Sequence, residues 1–260
     1  MRRYSRSSVH MTTETDVEAP SPPESVLGTL HNTGRSVEKL RVAMGNRVSA
    51  LARGADEATP ATPEIYKRLM QMASDMELMV DAAVAEELHR WPVYESWLRH
   101  VKGVGPSLSG QLLALLLPVR ADKGPSSWYK AAGLVPSQRP DGMMRLPRPR
   151  AGEGKITYHP WLRRCLHNVS TSFVMHGGYY RDQYDQRKRR LAEVHAGDKD
   201  WPSHRLDSVA RWSTVKLFLA HLWEACCEEE GITPRAPYAL DVLGHSTYIP
   251  RPMPSGGGKL

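Results

Sequence analysis

Residues 100–116 read HVKGVGPSLSGQLLALL, and this stretch decides the fold class. A helix ending at Val101 runs into the tight turn Gly103-Val104-Gly105, and Pro106 opens a second helix that carries Ser107 in its first turn. Proline suits that first position because the amide it lacks has no helical partner there. Glycine supplies positive φ and lets a neighbouring group, a phosphate included, come close to the backbone. The amides of Gly105, Ser107 and Leu108 sit at a helix N-terminus, where partial positive charge and unpaired N–H groups favour an anion. Lys102 adds a full charge beside them. Lys102, Gly103, Gly105 and Ser107 are therefore candidate phosphate-binding positions; the plain alternative is an ordinary glycine-containing turn between two packed helices.

The pattern has the form of a helix-hairpin-helix element, which grips DNA backbone without reading sequence. Helices are expected on both sides of it. Val37, Leu40, Met44, Val48 and Leu51 recur at three- and four-residue steps in a segment starting near Ser25, which puts them on one helical face. Gly54 and the following ADEATPATP break the pattern. A second helix starts near Thr62, with Pro63 and Glu64 in its first turn. Along it Ile65, Leu69, Met72, Met76, Met79 and Ala83 form a heptad-like stripe, expected to be core, with dimerisation as its functional use.

After Pro92 come helices over 93–101, 107–117, 126–132, 159–175, 179–195 and 205–230. The last has a broad apolar face of Val209, Trp212, Val215, Phe218, Leu219 and Leu222. The expected fold is mainly α: a disordered tail over 1–24, an antiparallel helical hairpin or coiled coil over 25–92, a compact helical domain with the helix-hairpin-helix element over 93–232, and an extended Pro/Gly-rich tail over 233–260.

Composition agrees with helices. Only 7% of the 260 residues are aromatic and two are Phe, so the core must draw on Leu, Val, Ala and Met. The formal charge is +7 and the pI about 9.4, which favours a polyanionic partner without choosing among DNA, RNA and a membrane surface. Three cysteines, two of them adjacent, give no disulfide framework and no CxxC metal pair. The longest apolar run, 112–119, is too short to span a bilayer. The N-terminus is basic and then polar, unlike a secretory signal, and Met11 offers an alternative start.

The other basic region is SSWYKAAGLVPSQRPDGMMRLPRPRAGEGKITYHPWLRRCL, residues 126–166. Its Pro- and Gly-rich loop carries Arg139, Arg145, Arg148, Arg150 and Lys155, and the helix after it presents Arg163 and Arg164. Such cations can follow a phosphate track, or form a solvated basic loop.

Taken together, VKGVGP, AAGLVP, the basic loop, HPWLRRCL, YYRDQYDQRKRR and ARWSTVKLFLAHLWE resemble, in that order, the C-terminal transposase domain of insertion-sequence family 110, grouped with families 116 and 902. The resemblance covers roughly residues 93–230. It implies a cytoplasmic, bacterial or phage-encoded DNA-binding protein of transposition or recombination, with DNA and a structured guide RNA as nucleic-acid partners and no membrane. Full members add a RuvC-like nuclease domain with an acidic tetrad and a coiled coil. Here the first 92 residues resemble only the coiled coil, through which a homodimer is expected, so the nuclease would be a separate subunit. A divalent metal is needed only with such a partner; no cofactor is evident in this chain. Members also carry a nucleophilic Ser in a Ser-Gly step after GLVP, where this sequence has PSQRPDGMM with Asp141 before Gly142. Ser137 is the nearby hydroxyl and the one catalytic candidate of a serine-type recombinase.

A third reading is a helix-hairpin-helix DNA glycosylase with Asp122 as its acid, although VRADKGPSSWYK lacks the VDT- or VDG-like context of such enzymes. His159, His167, His176 and Cys165 fit no common zinc spacing. Asp182, Asp185, Asp198 and Asp200 lie in a charged stretch where pairing with Arg and Lys is expected, and the RKRR run at 187–190 is either a phosphate contact or a solvated helix face.

Overall fold

The computed structural model describes residues 26–53, 62–120, 123–138, 144–147, 156–233 and 248–254. Among them the chain is mainly helical: α1 (Val26–Ala52), α2 (Thr62–Leu88), α3 (Pro92–Ser96), α4 (Pro106–Leu116), α5 (Ser126–Ala131), α6 (Pro160–His176), α7 (Tyr179–Val194) and α8 (Ser203–Glu229). Strands β1 (Ser137–Gln138) and β2 (Met144–Arg145) pair antiparallel, with Ser137 opposite Arg145. No described helix is long and apolar enough to cross a membrane. The tail expected over 1–24 lies outside the described residues, as does most of 233–260.

Prolines mark the helix starts. Pro92, Pro106 and Pro160 each open a helix, where the missing amide costs nothing. At α6 the His159 Nδ1 also accepts the Leu162 amide at 3.2 Å. Gly177 and Gly178, both at positive φ, separate α6 from α7. The helix expected over 93–101 divides in two. α3 ends at Ser96, Trp97 takes a non-helical conformation, and a single 3-10 turn follows over Leu98–His100. The break carries the Trp97 indole into the core, where it is fully buried.

Contacts between α1 and α2 pair rising numbers with falling ones: Gly34 with Val80, Arg41 with Glu77, Gly45 with Met70. The two helices therefore run antiparallel. Ala73, Val84 and Leu88 are the buried residues of α2, and this line places the heptad stripe on the wrong face for core. Ile65, Leu69, Met72, Met76 and Met79 are all exposed, Met79 by 73%. The expectation that they form core is overturned. Close approach at Gly34 and Gly45 selects the neighbouring line of α2, one residue out of phase and about 100° around the helix.

The pair docks on the rest through α4. A Cβ on Gly110 would overlap Val84 Cγ1 of α2 and lie 3.6 Å from Leu27 Cδ1 of α1. Around α8 the packing is denser still. Every residue from Phe218 to Cys227 is buried, so this half of α8 has no solvent face, where the sequence pattern had suggested a single apolar one. α3, α5, α6 and α7 all contact it. The core's aromatic centre joins Trp97, Phe173, Tyr180 and Phe218.

Residues 248–254 close the remaining side as an extended strap. Trp97 Nε1 donates to Pro252 O at 2.9 Å and Tyr179 Oη to Pro250 O at 3.3 Å. Arg251 pairs with Glu228. His221, 1% exposed, joins core to strap: its Nε2 lies 2.9 Å from Ile249 O and its Nδ1 2.9 Å from Tyr180 Oη. A carbonyl only accepts, so Nε2 carries the proton and Nδ1 accepts from the Tyr180 hydroxyl.

Burial pushes the His221 pKa down to about 4, against the pull of the Ile249 carbonyl. Below about pH 6.5 the unfolded chain takes up a proton that the native imidazole refuses. The neutral ring's contribution is thus complete above that pH and is lost as pH falls towards 4, on the order of 3 kcal/mol in all. Urea unfolding at pH 7 and pH 4.5 should show His221→Gln less stable than the parent at pH 7 but with a flatter pH dependence. Equal slopes in the two proteins would remove His221 from this role.

Candidate nucleic-acid interface

Between β2, the N-terminal part of α6 and the first half of α8 lies a cleft of about 790 Å³. Among the described residues four cations line it, Arg145, Arg163, Arg205 and Lys216, with Asp200 as the one carboxylate. Local geometry sets each one. Arg145 lies on β2. Arg163 donates to the carbonyl of Gly133 and spans the rings of Tyr158 and Trp212 at 5.2 and 5.1 Å. Gly133, at φ +66°, has no room for a side chain: a Cβ there would fall 2.6 Å from the Tyr158 ring and 2.9 Å from Arg163. Arg205 donates to Asp200 O at 2.7 Å and lies over Trp201 at 4.4 Å.

Lys216 is the most telling of the four. Its ammonium sits 5.9 Å from the Tyr129 ring, the Tyr129 hydroxyl donates to its carbonyl at 3.0 Å, and among the described residues no carboxylate pairs with it. Burial lowers its pKa from the ordinary lysine value. A half-desolvated ammonium without a counter-charge gains most from an arriving anion. Groups of the protein itself lie over the cleft's indoles. His195 stacks on Trp201 at 3.6 Å and 11°, Arg205 covers the same indole, and Arg163 covers Trp212.

The candidate residues from the sequence divide between this cleft and other places. Arg145 and Arg163 are brought together in it. Arg164, one residue on, projects about 100° further around α6, where it pairs with Glu38 of α1 and lies over Trp161. Ser137 is exposed on β1 opposite Arg145. Arg139, Arg148, Arg150, Lys155, Asp122, Asp141 and Gly142 lie outside the described residues.

The turn at 102–105 is at the other end of α6. Gly103 has φ +89°, and a Cβ there would come within 3.2 Å of the Ser172 carbonyl, whose hydroxyl donates to Gly103 O at 2.6 Å. The close approach at this glycine is to α6. Gly105 is the open position: it precedes α4 in an extended conformation, without a side-chain cap and with open space around its Cα. Lys102 is exposed beside it, while Ser107 is half-buried and turned to a second, smaller cavity.

That second cavity, about 250 Å³, lies where α1 and α2 meet α4 and α6. Its cations are largely matched by carboxylates, with Arg41 on Glu77 and Arg164 on Glu38. His31 lies in its wall, its pKa pushed down to about 4 by burial and then by Arg35 and His159. Balanced charge makes it the poorer receiver of a polyanion.

The remaining candidates have structural duties. Burial pushes the Cys165 thiol up to about 12. His176 bonds Ser172, Asp185 pairs with Arg181, and the Asp198 carboxylate accepts the Asp200 amide. No group of three or more His, Cys, Asp or Glu side chains suited to a metal ion occurs among the described residues. In the RKRR run Lys188 turns inward to Tyr184 and Asp207. The sequence reading missed Arg205 and Lys216 as residues of the cleft. The signal was present: Arg205, Val209, Trp212 and Lys216 follow one another at helical spacing on α8, and all line the cleft.

Comparisons with protein-family models, with curated proteins and with solved structures find no match to this chain.

Proposed function

We propose that this protein binds the phosphate backbone of nucleic acid, DNA first, in the cleft between β2, α6 and α8. The observation that carries the reading is Lys216, a half-buried ammonium that pairs with no carboxylate among the described residues, in a cleft whose described lining adds three arginines and one acid. The net charge of +7 supports a polyanion over a small neutral ligand. Because the cleft's indoles are covered by the protein's own cations, contact is made by guanidinium and ammonium groups with phosphate, which positions a strand without reading its bases. A structured RNA presents the same phosphate chemistry.

The resemblance of residues 93–230 to the C-terminal domain of the family 110 transposases supports a role in DNA transposition or recombination, carried out with a separate nuclease subunit. That subunit would bring its own divalent metal.

Binding to a labelled duplex and to single strands over a salt series tests the reading. Lys216→Gln and Arg205→Gln should each weaken binding about equally across sequences and lower the log–log salt slope by roughly one unit. Arg164→Gln, outside the cleft, should leave the slope unchanged. If both cleft variants bind like the parent, the cleft is not the interface. The same reactions, resolved under denaturing conditions, read the recombinase alternative through a covalent protein–DNA adduct that disappears in Ser137→Ala.

A further inference from the structure

The exposed stripe of α2 is independent of the nucleic-acid reading. Ile65, Leu69, Met72, Met76 and Met79 step by four and three along about 21 Å of helix, and α1 covers the adjacent face instead. Ile65 is 55% exposed and Met72 61%. A continuous apolar seam of this length on a free surface marks an interface.

Charge next to the seam selects the occupant. Arg68 and Asp75 are exposed, seven residues apart, and both flank the stripe on the side away from α1. In a parallel pair of α2 helices they would face Ala73 and Val80 of the other copy, and no charge would be matched. In an antiparallel pair with Ile65 opposite Met76 and Leu69 opposite Met72, Arg68 of each copy meets Asp75 of the other. Sliding the pair to bring Leu69 opposite Met79 puts Asp75 against Asp75. One orientation and one register are thus self-complementary, as a two-fold interface requires.

We infer that the α2 stripe packs against the same stripe of a second copy of this chain, antiparallel, with Arg68 and Asp75 paired across the seam. The seam supplies the buried apolar surface, and the two ion pairs set direction and register.

The test is sedimentation equilibrium of the full chain, freed of nucleic acid by nuclease and high salt, then returned to moderate salt. The expected result is a dimer of the 29.2 kDa chain at micromolar concentration. Met72→Glu with Met76→Glu should give a monomer with unchanged helical circular dichroism. Arg68→Asp or Asp75→Arg alone should weaken the dimer at least tenfold, and the two together should restore it. Disulfide trapping reads the register. Arg68→Cys with Asp75→Cys should crosslink copies, whereas Asp75→Cys alone should not; within one helix these positions are too far apart to bridge. A monomeric parent, a dimer that survives both glutamates, or a double swap that fails to restore association overturns the inference.

Discussion

Phe218→Ala is expected to lower the stability of the protein by about 4 kcal/mol, the middle of the range for removing a buried ring. The chain has two phenylalanines, and both stand in this cluster. Phe218 is fully buried, with the Trp97 ring 6.0 Å away and nearly parallel, and the Phe173 and Tyr180 rings each at 5.3 Å edge-on. Each pair adds to plain area burial. The site cannot collapse to fill the space, because α8 is enclosed on all sides at this level and its neighbours are held by other contacts. Chemical denaturation should show an earlier midpoint with an unchanged slope, and thermal unfolding a drop on the order of 10 °C. Phe218→Leu, which keeps most of the volume, should lose far less. A loss in Phe218→Ala below about 1.5 kcal/mol would mean that the cluster is not the centre of the core.

The second large effect is expected at Gly133→Ala. Positive φ costs an alanine about 1–2 kcal/mol, and overpacking adds about 1–3 kcal/mol more. The overpacking has named partners, since the new methyl would press on the Tyr158 ring and the Arg163 guanidinium. Because Arg163 donates to the Gly133 carbonyl and lines the cleft, the same substitution should also weaken nucleic-acid binding. Combining it with Tyr158→Ala separates the two costs. The pair should recover the packing part as measured by urea unfolding, while the backbone part remains. If Gly133→Ala alone is neutral in both stability and binding, the turn does not hold Arg163 in place.

The helices were legible because their boundaries are chemically marked. Pro106 and Pro160 stand where an amide is dispensable, and Gly177 stands where positive φ is needed. Three-and-four spacing then identified α1, α2 and α8. Periodicity gives the existence of an apolar face but not the choice between neighbouring faces. On α2 the stripe of large side chains proved to be the outer one, because Gly34 and Gly45 of α1 leave room for a closer approach along Ala73 and Val80. Arg163 and Arg164 show the same limit at single-residue scale. They are neighbours in sequence and project about 100° apart around α6, one lining the cleft and one paired with Glu38. The cleft joins residues from 136 to 216, and no local pattern reports which segments will meet. Gly103 was readable as a position of close approach, but the approaching group, Ser172, lies too far along the chain for the sequence to name.

The strap over 248–254 bears on how the protein is made. Its anchors on Trp97 and His221 are backbone carbonyls of Pro252 and Ile249, so these N–H donors are synthesised before the carbonyls that accept from them. While a nascent chain lengthens on the ribosome, the helices can assemble, but the Trp97 and His221 N–H groups stay without their final partners until the strap has emerged. Completion of the core therefore waits for synthesis of the strap, and a message cut short before residue 249 would yield a helical product with an unsealed side, open to chaperones and proteases.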